Sequence, residues 1–366
     1  MAVRKNEARW VEKSTRWRID VQKDGVRRSF YSATAGKKGK AEAERKADKW
    51  LETGSSRENV RFGALWAEHL ERVKSTTGTS NYKQTEYFGR CWLLPGLEHK
   101  RVAALTEQDW QNCIDRGFKG GLSKKTLTSI RTTISVFCRF AKKNGIPMER
   151  PEDITIPRGA PVGKKRILQP DDLKTLFSTD LVKTRGQVQP YFYVPAFRFL
   201  VLLGLRPGEL CGLQNSDLSG NTLTVQRSIN SYGEITTGKN ENAQRSIILG
   251  RHQLAILEQQ RENLKRHHII SKWLFPDRHG NAMSSVCLYG KWKLYRKQHN
   301  ISCSLYEMRH TLISLAKSDV PEQLIKMVVG HSGSMDTFGV YGHEVDGEKQ
   351  RAANMLDGVF DRVLSQ

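Results

Sequence analysis

Apolar and polar positions change their period several times along this chain, and the changes divide it. Trp17-Arg18-Ile19-Asp20-Val21 alternates, Lys23-Asp24-Gly25 reads as a turn, and Val26-Arg27-Arg28-Ser29-Phe30-Tyr31 alternates again. A two-residue period on both sides of a turn predicts a β-hairpin. From Lys40 to Leu51 the period lengthens, and Ala43, Ala47, Trp50 and Leu51 fall on one side of a helix. Residues 60 to about 150 read as all helix. Phe62, Leu65, Trp66 and Leu70 share one face, and Leu127, Ile130, Ile134, Phe137, Cys138 and Ala141 share another at spacings of three and four. Thr106-Glu107-Gln108-Asp109 before Trp110 resembles a capping box, with Asp in place of the usual Glu or Gln.

Pro151, Pro157, Gly159, Pro161 and Gly163 then interrupt any period, so residues 153–165 are expected to form an extended linker ending in Lys164-Lys165-Arg166. Leu168-Gln169-Pro170-Asp171-Asp172-Leu173 opens a helix, with proline in its first turn and acids complementing the dipole. Phe197 to Leu203 is a strongly apolar helix. Residues 221–226 and 244–249 form two strand-like runs about a turn that contains Gly233 and Gly238, with Lys239 near the bend. In the tail, Met355, Leu356, Val359, Phe360, Val363 and Leu364 make an apolar helical stripe. The expected fold is multidomain α+β: a small sheet-plus-helix module (1–58), an all-helical domain (59–152), the linker, a mainly helical domain with a small antiparallel sheet (166–345), and a terminal helix (346–366).

Charge narrows the class of partner. The chain carries 60 Lys and Arg against 38 Asp and Glu, a formal +22. That excess calls for a polyanion, with nucleic acid the leading candidate. No apolar run approaches the ~20 residues of a membrane span, and no signal-peptide pattern is present, so a soluble, intracellular chain is expected. Residues 1–58 alone hold 16 basic against nine acidic residues. The six cysteines are dispersed without a C-x-x-C pair, as for reduced thiols of a cytosolic protein. Neither a metal nor a cofactor is implied.

The candidate chemistry lies in the second half. Arg206 stands in Leu203-Gly204-Leu205-Arg206-Pro207-Gly208-Glu209-Leu210; Arg309 and His310 follow about a hundred residues later; Gly330-His331 comes after a helix-like run, and Tyr341 ten residues beyond that. Two arginines, a lysine, a histidine and a tyrosine are what metal-free attack on a phosphodiester requires. The pentacoordinate phosphorane is a dianion whose equatorial oxygens need fixed positive charge and N–H donors. Arginine supplies both in a planar fork that stays protonated. A phenol can form a phosphotyrosine that keeps the bond energy, and a desolvated lysine can protonate the leaving oxygen.

Residues 202–213, Tyr306-Glu307-Met308-Arg309-His310-Thr311-Leu312, and Val329-Gly330-His331-Ser332 through Tyr341-Gly342-His343 resemble the signature boxes of the tyrosine recombinases, in order and in spacing. The resemblance covers residues 164–345, and weaker similarity to phage and conjugative-transposon integrases reaches the N-terminus. It implies Arg206 and Arg309 as phosphate-binding arginines, Glu209 as the acid that holds Arg206, Lys239 as the hairpin lysine, His331 as a hydrogen-bond donor and Tyr341 as the nucleophile. Tyr306 departs from the family, which usually has histidine there. A phenol of pKa about 10 is a poor general base at neutral pH, so Tyr306 is expected to donate or relay a hydrogen bond to phosphate. His310 would point about 100° away from Arg309 on a helix and is not promoted to the missing base.

The resemblance further implies a site-specific recombinase, an integrase or transposase of a mobile element, acting through a 3′-phosphotyrosine and a Holliday junction. Residues 1–58 would be an arm-type DNA-binding domain and 59–152 a core-binding domain. The partners would be double-stranded DNA at core and arm-type sites, a homotetramer on that DNA, and an excisionase or DNA-bending accessory protein, with no membrane. Arg18, Arg27, Arg28, Lys124, Lys125, Arg131, Lys164 and Lys165 are the expected DNA contacts. The terminal helix is expected to dock in trans on a neighbouring chain. A type IB-like topoisomerase and a catalytically silent DNA-binding regulator are the alternatives.

Overall fold

The computed structural model of the chain describes residues 6–23, 26–53, 59–146, 148, 151–237, 244–330 and 347–365. Two compact units divide the chain, residues 1–163 and 164–366.

The first unit begins with strands Arg9–Val11, Arg16–Lys23 and Val26–Ser32, an antiparallel sheet in that order, followed by helix Gly36–Thr53. The hairpin is as the alternation predicts; the short first strand is an addition. Ile19 and Val21 point to one side and join Ala43, Ala47, Trp50 and Leu51 of the helix in a small core. The register pairs Arg9 with Arg18, Arg18 with Tyr31, Asp20 with Ser29 and Gln22 with Arg27. Because side chains alternate across a strand, Arg9, Arg16, Arg18, Asp20, Arg27 and Tyr31 share the face turned away from the helix.

The helical part of this unit contains Phe62–Thr76, Thr79–Phe88, Glu107–Lys119 and Lys124–Lys143 around a core that includes Phe62, Trp66, Trp110, Leu127, Ile130, Ile134 and Phe137. The capping box forms as read: Thr106 Oγ1 accepts from Asp109 N at 3.3 Å, and Asp109 Oδ2 accepts from Thr106 N at 3.0 Å. The expected linker needs correction. Ile154 and Ala160 are each only 4 % exposed in the helical core. Lys124 N donates to Pro161 O at 2.9 Å, Thr155 N to Gln111 Oε1 at 2.9 Å, and Glu152 N to Glu107 Oε1 at 2.8 Å. Proline and glycine forbid a helix here, but burial of the apolar side chains and capping of the backbone by neighbours hold the segment to the unit.

In the second unit helix Val194–Leu203 is buried along its whole length, as befits a helix apolar on all sides but for Arg198, whose Nε donates to Leu176 O at 2.8 Å. Helices Arg251–Arg266 and Glu307–Ala316 pack on it. Strands Leu218–Ser219, Thr222–Val225 and Arg245–Ile248 form an antiparallel sheet in which Val225 pairs with Arg245 and Thr222 with Ile248. A hairpin that the sequence reading did not include, Leu181–Thr184 with Gln187–Pro190, turns through Arg185 at φ 51° and Gly186 at φ 84°.

The last helix, Glu348–Ser365, buries its stripe in its own unit. Ala352, Leu356, Val359 and Phe360 belong to the same hydrophobic cluster as Val194–Leu203. Arg362 Nη1 meets Asp319 Oδ1 at 3.0 Å, and Asp357 Oδ2 accepts from Arg251 N at 2.9 Å. In the single chain the helix packs on its own unit, where helices Pro170–Ser178 and Glu322–Val329 meet its stripe.

Candidate active site

The site is assembled at helix ends. Val194–Leu203 stops at Gly204, whose φ of 58° is left-handed and whose added Cβ would come within 2.9 Å of Leu312. Glycine alone satisfies both demands. Arg206 is extended (φ −71°, ψ 144°), as a residue before proline prefers, and Pro207 starts helix Pro207–Gly212. Glu209, in the first turn of that helix, accepts from Arg206 N at 3.0 Å and from Arg206 Nη1 at 2.6 Å.

Two further arginines meet there. Arg245, at the start of strand Arg245–Ile248, places Nη2 3.0 Å from Glu209 Oε2 and Nη1 3.4 Å from Oε1. Arg309, in the first turn of Glu307–Ala316, is only 2 % exposed and donates from Nη1 to Gly204 O at 2.9 Å. All three guanidiniums also reach the C-terminal end of helix Glu322–Val329. Arg245 Nε donates to Val328 O at 2.7 Å, Arg309 Nη1 to Val329 O, and Arg206 Nη2 to Gly330 O at 3.1 Å. Three successive carbonyls thus each accept from a different arginine. These oxygens have no partner inside their own helix and carry the negative end of its dipole, so they attract cations. Gly330, at φ 70°, ends the helix in the left-handed conformation that turns its carbonyl to Arg206.

Charge does not balance in this cluster, where three guanidiniums face one carboxylate. Burial works to raise Glu209, but the Arg245 charge and the hydrogen bonds from Arg245 and Arg206 outweigh it and hold the carboxyl below its ordinary value. Burial first, and then the neighbouring Arg206 charge, push Arg309 down to about 10, with Glu209 opposing. Arg309 therefore stays charged at neutral pH. Its Nη2 is buried without a hydrogen-bond partner among the described residues. A buried charged donor left unmatched is costly, and an anion that reached it would recover that cost. The Arg206 side chain, 37 % exposed, borders the same cluster and opens it to solvent.

Tyr306 directly precedes helix Glu307–Ala316 and is 42 % exposed. Its ring meets His310 one turn later, edge to face, with centroids 5.7 Å apart. Burial, then the Lys165 charge, lowers His310 from its ordinary value, so near neutral pH it presents a neutral imidazole. Lys239, His331 and Tyr341 lie outside the described residues.

The expected DNA contacts separate by environment. Arg18 and Arg27 share the open sheet face. Arg28 pairs with Val21 and so belongs to the helix side, its guanidinium 5.6 Å from the Phe30 ring. Lys124 and Lys125 are exposed, and so are Lys164 and Lys165. Arg131 donates from Nη1 to Ile154 O at 3.3 Å, which ties it to the packing of the 151–163 segment.

Two features escaped the sequence reading. Arg245 is one; its signal was the alternation with the buried Ile247 and Leu249. The other is His69, buried among Trp66, Phe137 and Phe140 at the base of a groove that Arg72, Arg139 and Lys143 also line. Neither ring nitrogen has a partner among the described residues, and burial, then Arg72, pushes the imidazole down to about 4. Among the described residues no cluster of His, Cys, Asp and Glu could hold a metal ion, and no helix is long and apolar enough to cross a membrane.

The phage integrase family model matches residues 166–348. A XerC-like tyrosine recombinase of Caldanaerobacter subterraneus subsp. tengcongensis is 24 % identical, with 92 % of each chain covered. Among solved structures, the Tn1549 transposon integrase in complex with transposon right end DNA superposes with a TM-score of 0.63 at 20 % identity, covering 81 % of this chain and 100 % of that one. A lambda integrase tetramer bound to a Holliday junction superposes with a TM-score of 0.61 at 15 % identity, covering 90 % and 96 %. With its arginine cluster built on the matched segment, the chain belongs to the phage integrase family of tyrosine recombinases.

Proposed function

We propose that the protein is a site-specific DNA recombinase of a mobile element, and that the cluster of Arg206, Glu209 and Arg309 receives the scissile phosphate. The observation that carries this reading is the buried Arg309 Nη2, a charged donor without a partner among the described residues, beside the half-open Arg206. Arg206 and Arg309 would each give N–H donors to the non-bridging oxygens as charge develops. Tyr341 Oη gives up its proton to water and attacks phosphorus, the bond to the 5′-oxygen breaks, and a 3′-phosphotyrosine and a 5′-hydroxyl result. Lys239 gives the leaving oxygen its proton, and His331 hydrogen-bonds a non-bridging oxygen or the nucleophile. Tyr306 hydrogen-bonds phosphate where the family usually has histidine. The 5′-hydroxyl of a partner strand then attacks the phosphotyrosine and releases the tyrosine, and two such rounds pass through a four-way junction.

The chain would act as a homotetramer on double-stranded DNA in the bacterial cytoplasm, with an excisionase or bending protein setting direction. Its open sheet face of Arg9, Arg16, Arg18, Arg27 and Tyr31 would bind arm-type sites. Lys124 and Lys125 would contact core sites, and Lys164 and Lys165 the phosphate backbone. Trapping on nicked duplexes made from the DNA that flanks the coding region tests the reading. The wild type should form a covalent adduct stable in a denaturing gel, and Tyr341→Phe should form none while binding DNA within a few fold. An adduct that persists in the Phe variant would move the nucleophile elsewhere.

A further inference from the structure

We propose that Arg245 is a positioning residue of the cleavage site: it fixes where Arg206 and Arg309 stand by locking Glu209 to the end of helix Glu322–Val329. The proposal rests on the reading of the cluster as a phosphate site. Arg245 joins three segments far apart in sequence. Its two Nη atoms face the two oxygens of Glu209, and its Nε faces Val328 O. Its side chain is only 7 % exposed and that of Glu209 only 4 %. Those three hydrogen bonds fix the distance between helix Pro207–Gly212, which begins just after Arg206, and the carbonyl row that also accepts from Arg309 and Arg206.

Neither lysine nor glutamine can reproduce this. The fork of arginine meets a carboxylate with two parallel bonds while Nε points elsewhere, whereas the ammonium of lysine is a single point. Without Arg245, Glu209 has Arg206 as its remaining hydrogen-bonded arginine and draws that guanidinium away from the open side of the cluster. The row of carbonyls also loses its first cation, so the helix end that carries Val329 and Gly330 loses a tie to the sheet. Arg245 itself is occupied and faces inward, so it acts through the other two arginines and not on the phosphate.

The test compares wild type, Arg245→Lys, Arg245→Gln and the double variant Glu209→Gln/Arg245→Gln in single-turnover cleavage of nicked duplexes from the flanking DNA. At saturating DNA, Arg245→Gln should cleave about 10- to 100-fold more slowly, the scale of a reacting group displaced by an ångström or less. Arg245→Lys should recover only part of the loss, and Kd should change less than about threefold, because no phosphate contact is removed. A second readout separates positioning from mere packing. With Arg245 gone, Glu209 loses its main cation, so the acid limb of the cleavage profile should move to higher pH in Arg245→Gln and vanish in the double variant.

Cleavage by Arg245→Gln at the wild-type rate, or a loss that matches its unfolded fraction with an unmoved acid limb, overturns the proposal. If the wild type forms no adduct, the strand-cleavage reading fails while the cluster can still be tested as an anion site. The proposal is then decided by inorganic sulfate, which should raise the melting temperature of the wild type more than that of Arg245→Gln; equal shifts would sink it.

Discussion

Two acid-centred arginine clusters in this molecule have nearly the same composition and opposite settings. On the N-terminal sheet, Asp20 stands among Arg18 at 3.0 Å, Arg27 at 3.7 Å and Arg9 at 3.9 Å. In the second unit, Glu209 stands among Arg206, Arg245 and the nearby charge of Arg309. The side chains of Arg9 and Arg27 are each 72 % exposed, whereas Arg245 and Arg309 are almost wholly buried. Solvent and salt screen the exposed arginines of the first cluster, so each of their ion pairs is worth little. The second is desolvated and tied to three carbonyls, so its donors are already aimed before any ligand arrives. Preorganised donors need no rearrangement at the moment of reaction. Burial thus separates a preorganised cluster from a screened one.

The largest effect expected from this difference is on cleavage. Arg309→Ala should slow single-turnover cleavage by at least about 1000-fold, since even one neutral transition-state donor is worth 10²–10³. A loss under tenfold would deny the buried cluster its part in the reaction. Next comes stability. Glu209→Gln leaves three guanidiniums without their carboxylate and should destabilise the protein by about 3–5 kcal/mol in denaturant unfolding at pH 7. Because the folded carboxyl sits below its ordinary value, its contribution is present above the unfolded pKa of about 4.3 and disappears as the pH falls through the lower folded value. The gap between wild type and variant should therefore close in acid; a gap below about 1 kcal/mol at pH 7 would place Glu209 with the solvated pairs.

His69 sharpens the contrast from the other side, as a buried base with no counter-charge among the described residues. Its pKa falls to about 4, so the unfolded chain takes up a proton below about 6.5 that the folded chain refuses. Stability should be full above pH 6.5 and drop by about 3 kcal/mol as the pH falls to 4. His69→Phe, which keeps the aromatic packing, should flatten that slope in thermal melts; an unchanged slope would assign the acid sensitivity to carboxylates. The smallest effect belongs to the exposed cluster. Asp20→Asn should change stability by less than about 1 kcal/mol, while DNA binding strengthens at low salt and its salt dependence steepens. A larger destabilisation would show that the sheet face is held by its ion pairs and is not free to bind.

Reading along the chain found what is made locally. The capping box at Thr106 and Asp109, the proline-started helix at Pro170, and the hairpin of Arg16–Lys23 with Val26–Ser32 all depend on residues a few positions apart, and all formed as read. Arg206 with Glu209 is of the same kind, one turn of one helix. The hairpin through Arg185 and Gly186 was missed because arginine is an uncommon first residue for a turn with two positive φ angles. The segment 151–163 was misread because its proline and glycine content reports what the backbone cannot form, and says nothing of the helical surface that accepts Ile154 and Ala160.

By itself the sequence determined the periods of many helices and strands, the large positive charge, and the arginine, lysine, histidine and tyrosine boxes in their order. Only the tertiary structure decided that Arg245 shares Glu209 across 36 residues and reaches Val328 across 83. It also showed that in the single chain the terminal helix packs on its own unit, and that Arg28 parts from Arg18 and Arg27. The physical reason is the range of the forces involved. Propensity, capping and periodicity act within a few residues, so they can be read from neighbours in the chain. Desolvation of a charge, and the partner that makes it tolerable, depend on which distant segments the core has already brought together.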